Sequence, residues 1–208
     1  DGRDDWKDRV GFREVKTEGN QILLNGRPIF LQGFNRHEDH PDHGCAIPLS
    51  IMRKDLELIR HAGANAVRTS HYPNDERFLD LCDELGLLVW EENHARGLFP
   101  EAVGADAGMD IHPMKHPRFR EQCRLCNEEM VREHYNPPSI LMWGILNECD
   151  SYSEYGRSCY AEQFQQIRDL DPSRPVTYAS CQSGRPGKSK TDICQDLPDI
   201  CGWNYYHN

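Results

Sequence analysis

The chain has 208 residues, a net charge of −10 and an isoelectric point of about 5.4. Hydrophobic residues make up 38% and charged residues 28%, which is typical of a soluble globular domain with its own core. No apolar run reaches the length of a membrane span, and the acidic balance disfavours general nucleic-acid binding. We therefore expect no membrane and no nucleic-acid partner.

The first predicted element is a β-hairpin. Residues 13–34 contain two apolar runs, 22–24 and 27–31, and Asn25-Gly26 lies between them. Asn-Gly between apolar runs is a strong hairpin signal, because both residues tolerate the positive φ of a tight turn. A short β-hairpin is therefore predicted before the main domain.

From residue 31 onward, strand-like and helix-like segments alternate. The apolar spacing predicts one helix after Ser50, a second capped by Asn74 and ended by Gly86, and two more around residues 119–130 and 160–167. The six predicted strands end near residues 37, 70, 91, 147, 180 and 206. Such alternation indicates a parallel sheet with right-handed crossovers.

Two α/β architectures fit this alternation, an open doubly wound sheet and a (β/α)8 TIM-type barrel. Polar residues follow five of the six strand ends, whereas a doubly wound sheet builds its site at one switch point. In a barrel, all the carboxyl ends of the strands converge on the face that carries the active site. This favours the barrel, although eight strands need about 250 residues and only about six are predicted here.

The segment 139–146 is the most continuously apolar part of the chain and ends at Asn147 and Glu148. A carboxyl group at the rim of a buried strand is partly desolvated, which favours the protonated form that a general acid needs. Asn147 could bond a substrate hydroxyl. The alternative is that Glu148 only caps the helix that follows.

Four motifs occur in order along the chain: GFNRHED at 33–39, NAVRTSHYPN at 65–74, WGILNE at 143–148 and DPSRPVT at 171–177. Together they closely resemble the catalytic barrel of glycoside hydrolase family 2, the β-glucuronidases and β-galactosidases. The resemblance extends from about residue 11 to residue 208. It implies that residues 1–12 are the tail of a preceding β-sandwich domain and that residues 13–208 are the first three-quarters of a TIM barrel.

The resemblance implies a retaining exo-β-glycosidase that works by double displacement. It makes Glu148 the acid/base and Asn147 the residue that binds the sugar 2-hydroxyl. His37, Asp39 and His71 match further substrate-binding positions, and Tyr206 matches the tyrosine near the nucleophile. Asn204, a polar residue at the end of the sixth strand, is retained with Tyr206 as a substrate-binding candidate.

Glu91 and Glu92 end the third strand, so either could face the site. The alternative is a salt bridge to Arg68 or Arg96. We retain Glu92 as a substrate-binding candidate.

The family's nucleophile is a Glu in a Ser-Glu-Tyr-Gly-like motif on the seventh strand. A literal copy occurs at Ser153-Glu154-Tyr155-Gly156, but no apolar strand precedes it and it leads directly into a helix. We interpret it as a helix start. The nucleophile is therefore expected beyond residue 208, and the chain alone is expected to be inactive.

The substrate is expected to be a carbohydrate. The triplet at 37–39 looks more like the β-glucuronidase version of the motif than the β-galactosidase one, so β-glucuronides are favoured and β-galactosides are the alternative. A non-catalytic sugar-binding or scaffold role is the alternative of another class.

We expect no cofactor and no metal site, because residues 91–97 lack the spacing of the magnesium-binding β-galactosidases. The full-length enzyme is expected to be a homo-oligomer. Nine cysteines, an odd number with several at apolar helix positions, favour reduced thiols and a cytoplasmic location.

Overall fold

The computed structural model describes residues 2–5, 7, 9–97, 113–181 and 191–205. Its first unit is a three-stranded antiparallel sheet in the order β1-β2-β3. The strands are β1 (Val15–Glu18), β2 (Gln21–Leu24) and β3 (Arg27–Ile29). Asn25 and Gly26 join β2 to β3 with φ values of 52° and 74°, which confirms the hairpin and its tight turn.

The second unit is a six-stranded parallel sheet. Its strands are β4 (Gly33–Arg36), β5 (Ala66–Thr69), β6 (Leu88–Glu92), β7 (Ile140–Asn147), β8 (Val176–Ser180) and β9 (Ile200–Trp203). Each strand pairs with the next one along the chain, in the order β4-β5-β6-β7-β8-β9. The wall of a (β/α) barrel has this order. In a doubly wound sheet, by contrast, the order of the strands reverses at a switch point.

Within the described residues, the segments between these strands form four α-helices: α1 (Leu49–His61), α2 (Glu76–Leu85), α3 (Pro117–Glu133) and α4 (Glu154–Leu170). A short 3-10 helix, Pro113–Lys115, precedes α3. Gly86 ends α2 with a φ of 69°, as predicted, because glycine adopts the left-handed conformation without steric cost. Ser153 caps α4, and Glu154 is its exposed first residue, as the helix-start interpretation predicts.

The predicted cap of α2 was wrong by one residue. Asp75 is the cap, and its side chain accepts a hydrogen bond from the Arg77 amide at 2.9 Å. Asn74 is buried instead, and its Oδ1 accepts a bond from Arg36 Nη1 at 3.0 Å. Asn and Asp are equally good caps. Because Asn74 binds the buried guanidinium of Arg36, Asp75 is left to cap the helix.

The main core lies between the parallel sheet and the helices. Its largest buried side chains are Trp143, Tyr160, Tyr178, Phe78 and Phe164. A second cluster lies at the amino ends of the strands, where Leu141 and Met142 of β7 pack against the antiparallel sheet through Val15, Ile22, Leu24 and Ile29. The antiparallel sheet therefore covers the end of the parallel sheet opposite to Asn147.

Two further properties bear on the sequence predictions. No helix in the described part of the chain has the length and hydropathy that a bilayer crossing requires. All nine cysteines lie in the described ranges as free thiols.

Candidate active site

Polar side chains from four strand ends meet at the carboxyl edge of the parallel sheet. Arg68 of β5 is central, and it is only 7% exposed. Its Nε donates to Glu92 Oε2 at 2.6 Å, and its Nη2 donates to Asn147 Oδ1 at 2.8 Å. Its Nη1 donates to Asn204 Oδ1 at 3.2 Å. We call Arg68, Glu92, His71, Asn147 and Asn204 the Arg68 network.

Strand alternation explains why Arg68 points inward. Val67 packs in the core beneath the helices, so its neighbour Arg68 projects to the opposite face. There the guanidinium carbon lies 4.5 Å from the centroid of the Trp90 ring. From the sequence, Arg68 is predicted only as a possible salt-bridge partner. The signal for its central position is an arginine in the middle of a strand, beside a valine of the core.

Glu92 is fully buried, and both of its oxygens are engaged. Oε2 accepts from Arg68, and Oε1 lies 2.6 Å from His71 Nδ1. The salt bridge considered for this position is therefore present, and the residue faces the site as well. With both oxygens occupied, Glu92 orients Arg68 and His71.

Glu91 points the other way, toward the helices. Its Oε1 lies 2.6 Å from Nδ1 of His134, which is also buried. Burial raises the pKa of Glu91, and the bond to His134 opposes that effect. Glu91 therefore belongs to the structural layer behind the sheet.

Asn204 joins the two residues at the end of β7. Its Nδ2 donates to Asn147 Oδ1 at 2.7 Å and to Glu148 Oε1 at 2.8 Å. Glu148 itself is partly exposed. The carboxyl group of Glu148 is thus oriented by a neighbour and still open to a ligand. The helix-cap alternative is not what the structure shows, because Ser153 occupies that position.

The backbone at this point is unusual. Glu148 has a φ of 52° and Leu146 a φ of 33°, values that cost energy for residues other than glycine. Neighbouring segments hold it in place, since the Glu148 amide donates to Ala179 O at 2.8 Å and the Asn147 amide donates to Ala95 O at 3.0 Å. Such strain is concentrated at functional sites, where the surrounding structure fixes a side chain in a required position.

The rim of the site carries the two candidates that follow β4. His37 and Asp39 are both exposed. The ring of His37 lies edge-on to His71, with centroids 5.3 Å apart. Burial lowers the pKa of His37, and the nearby charges of His71 and Arg96 lower it further. His37 is therefore neutral near pH 7 and can either donate or accept a hydrogen bond.

An open cavity of about 240 Å³ lies on the inner face of the sheet. Arg68 and Asn204 line its polar end, and Phe34, Trp90, Met142 and Trp203 contribute apolar walls. The polar end of this cavity adjoins the Arg68 network, whereas its apolar part is the interior that side chains fill in a (β/α)8 barrel. Tyr206 lies outside the described residues, and no group of three or more metal-ligating side chains occurs within the described ranges.

Comparison with known proteins gives a family match over almost the whole chain. The model described as "Glycosyl hydrolases family 2, TIM barrel domain" matches residues 15–207. A β-glucuronidase of Streptococcus agalactiae is 34% identical over 212 residues, which cover 99% of this chain and 34% of the relative. A β-galactosidase of Pseudoalteromonas haloplanktis is 36% identical over 186 residues, which cover 88% of this chain and 16% of the relative.

The solved structures include a family 2 β-galacturonidase from Eisenbergiella tayi bound to galacturonate. It is 56% identical, with a TM-score of 0.85 over 96% of this chain and 33% of that chain. The chain thus spans between about a sixth and a third of the length of these proteins.

Proposed function

The chain belongs to glycosyl hydrolase family 2 as its TIM barrel domain, and on that basis we propose that it supplies the acid/base, Glu148, of a retaining exo-β-glycosidase. The position of the Glu148 carboxyl group supports this most directly. It lies at the carboxyl end of a fully buried strand, where barrel enzymes build their sites, and Asn204 orients it.

The proposed reaction has two steps. In the first, Glu148 protonates the leaving glycosidic oxygen while a second carboxylate attacks the anomeric carbon and forms a glycosyl-enzyme. In the second, Glu148 removes a proton from water, which attacks the same carbon and releases the sugar. The two carboxyl groups of such enzymes lie about 5–5.5 Å apart.

The second carboxylate is expected on a strand that follows the six described ones. Arg68 holds Asn147 and Asn204 in place, and these two amide side chains lie beside Glu148, where sugar hydroxyls would bind. Asn147 is assigned the 2-hydroxyl, where hydrogen bonds strengthen as charge develops on the sugar ring. His37, His71 and Asp39 extend this polar surface along the rim.

We propose that the sugar is a uronic acid. Arg96 is exposed at the rim, its backbone pairs with that of Asn147, and its charge lies close enough to His37 to lower the pKa of the imidazole. A guanidinium binds a carboxylate through two parallel hydrogen bonds, so this position favours a sugar that carries a carboxylate.

β-D-glucuronides are the first candidate substrates, in line with the motif at residues 37–39. β-D-galacturonides are the second, favoured by the 56% identity to a β-galacturonidase that was crystallised with galacturonate. The two sugars carry the same carboxylate and differ in the orientation of one hydroxyl group.

The test uses the natural polypeptide that carries this chain. We expect hydrolysis of p-nitrophenyl β-D-glucuronide or β-D-galacturonide with a kcat/KM well above that for the β-D-galactoside. Glu148→Gln is expected to lose at least about a hundredfold of rate with poor leaving groups, the usual scale of general-acid catalysis. Glu154→Gln, an exposed carboxylate nearby in sequence, is the matched control.

Unchanged turnover in Glu148→Gln would remove the acid/base assignment. Binding of the sugars without any hydrolysis by the natural polypeptide would instead support the non-catalytic alternative.

A further inference from the structure

A buried carboxylate anchors the turn that follows Glu148. Asp192 is 5% exposed, and its Oδ2 accepts from Ser151 Oγ at 2.7 Å and from Tyr178 OH at 2.9 Å. Its Oδ1 accepts from the Cys194 amide at 2.7 Å. Two hydroxyls and one amide therefore satisfy this carboxylate, as a buried charge requires.

Ser151 is held through both its side chain and its backbone. Its side chain donates to Asp192, and its carbonyl accepts from the Ile193 amide at 2.8 Å. Ser151 is itself completely buried and lies three residues after Glu148. Residues 192–194 thus fix the turn that follows Glu148 through two atoms of Ser151, the hydroxyl oxygen and the carbonyl oxygen.

The same anchor reaches Glu148 through β8. Tyr178, which donates to Asp192, precedes Ala179, whose carbonyl accepts the Glu148 amide at 2.8 Å. The left-handed φ of 52° at Glu148 has to be maintained by what surrounds it. Asp192 therefore contacts two segments that adjoin Glu148: the turn that follows it, through Ser151, and strand β8, through Tyr178.

We propose that Asp192, acting through Ser151, is a positioning residue for the acid/base, an inference that rests on the proposed function of Glu148. Proton transfer needs the acid within hydrogen-bond reach of the leaving oxygen, and small displacements cost large factors in rate. A displaced acid slows only substrates whose leaving group needs the proton. General damage to the fold slows all substrates alike.

The variants are Ser151→Ala, which removes one hydroxyl, and Asp192→Asn, which removes the charge. Asp196→Asn is the matched control, because Asp196 lies in the same segment but forms an ion pair with Arg157 on the surface. Each is made in the natural polypeptide that carries this chain. The readout is kcat/KM for glycosides of 2,4-dinitrophenol, a good leaving group, and of phenol, a poor one.

We expect Ser151→Ala and Asp192→Asn to lose at least about tenfold with the phenyl glycoside and less than about threefold with the dinitrophenyl glycoside. Asp196→Asn should change neither. Equal losses with both substrates, or no loss with either, would overturn the positioning role. Ser151→Ala decides the question if Asp192→Asn does not fold.

The Glu148→Gln variant separates the two proposals. If it loses rate selectively with the phenyl glycoside while Ser151→Ala does not, the inference fails and the acid/base assignment stands. If Glu148→Gln itself shows no selective loss, the proposed function fails, and the positioning role fails with it.

Discussion

Asn204 Nδ2 donates to Glu148 Oε1 at 2.8 Å, and this bond links the end of β9 to the end of β7 across the intervening strand β8. The same nitrogen also donates to Asn147 at 2.7 Å. A single amide therefore sets the relative positions of the proposed acid/base and its neighbour. Asn204 directly follows β9, so Glu148 and Asn147 receive these two bonds only when β9 is paired with β8.

Replacing Asn204 by Ala should lower activity without unfolding the protein. Both bonds from Nδ2 disappear, and one of them goes to the Glu148 carboxyl group. Hydrogen bonds to charged groups contribute about 1.5–3 kcal/mol, so kcat/KM is expected to fall roughly tenfold to a hundredfold. Asn20→Ala, in an exposed turn, should leave kcat/KM unchanged. Equal activity of the two variants would contradict the orienting role.

Replacing Arg68 by Met should lower both stability and activity. The substitution leaves the buried Glu92 carboxylate with His71 as its remaining partner, and breaking a buried ion pair costs about 3–5 kcal/mol. The double variant Arg68→Met/Glu92→Gln removes that uncompensated charge. We expect it to recover much of the thermal midpoint and none of the activity. Recovery of kcat/KM along with stability would show that the Arg68 network is structural only.

Replacing Arg96 by Ala should affect charged sugars selectively. If its guanidinium binds the carboxylate of a uronic acid, kcat/KM for the uronide should fall at least about tenfold, the lower range for a charge-assisted pair. The value for the matching uncharged galactoside should change little. Arg53→Ala, which removes an exposed arginine from α1, serves as control. A similar loss for both sugars would argue against carboxylate recognition.

The Glu91–His134 pair should make stability depend on pH. Burial lowers the pKa of His134, but the hydrogen bond and charge of Glu91 outweigh it and raise the pKa above its usual value. The folded state therefore retains a proton that the unfolded state releases near pH 6.5, so stabilisation is full below that pH and declines as pH rises through the folded pKa.

The comparison is with Glu91→Gln/His134→Gln, which removes both titrating groups. The thermal midpoint of the unmodified protein, measured relative to this variant, should fall between pH 6 and pH 8.5. A difference that stays constant or grows over this range would contradict the direction of the His134 shift.

The sequence predicted the fold well because its signals are local. Asn25-Gly26 specifies a tight turn through its own φ values, and the apolar run ending at Asn147 specifies a buried strand through its own composition. The polar residues after five of the six strands were predicted to converge, because parallel strands share a carboxyl edge. Glu148, Asn147, His71 and Asn204 do meet there.

The Arg68 network could not be predicted in the same way, because its bonds join distant parts of the chain. Arg68 and Asn204 are separated by 136 positions, and Arg68 and Asn147 by 79. Which acceptors a buried arginine reaches depends on strand register and twist, and neither can be calculated from local periodicity. The neighbouring pair Asn74 and Asp75 shows the same limit, since a tertiary contact with Arg36 decided which of two good caps was used.

The most direct test of the central claim is azide rescue of Glu148→Ala in the natural polypeptide that carries this chain. Without its acid/base the enzyme should form the glycosyl-enzyme from a dinitrophenyl glycoside but hydrolyse it slowly, because water then lacks a general base. Azide needs no base, so it should restore turnover and give the β-glycosyl azide, which NMR identifies. Hydrolysis at the unmodified rate, an α-glycosyl azide, or no response to azide would contradict Glu148 as the acid/base of a retaining glycosidase.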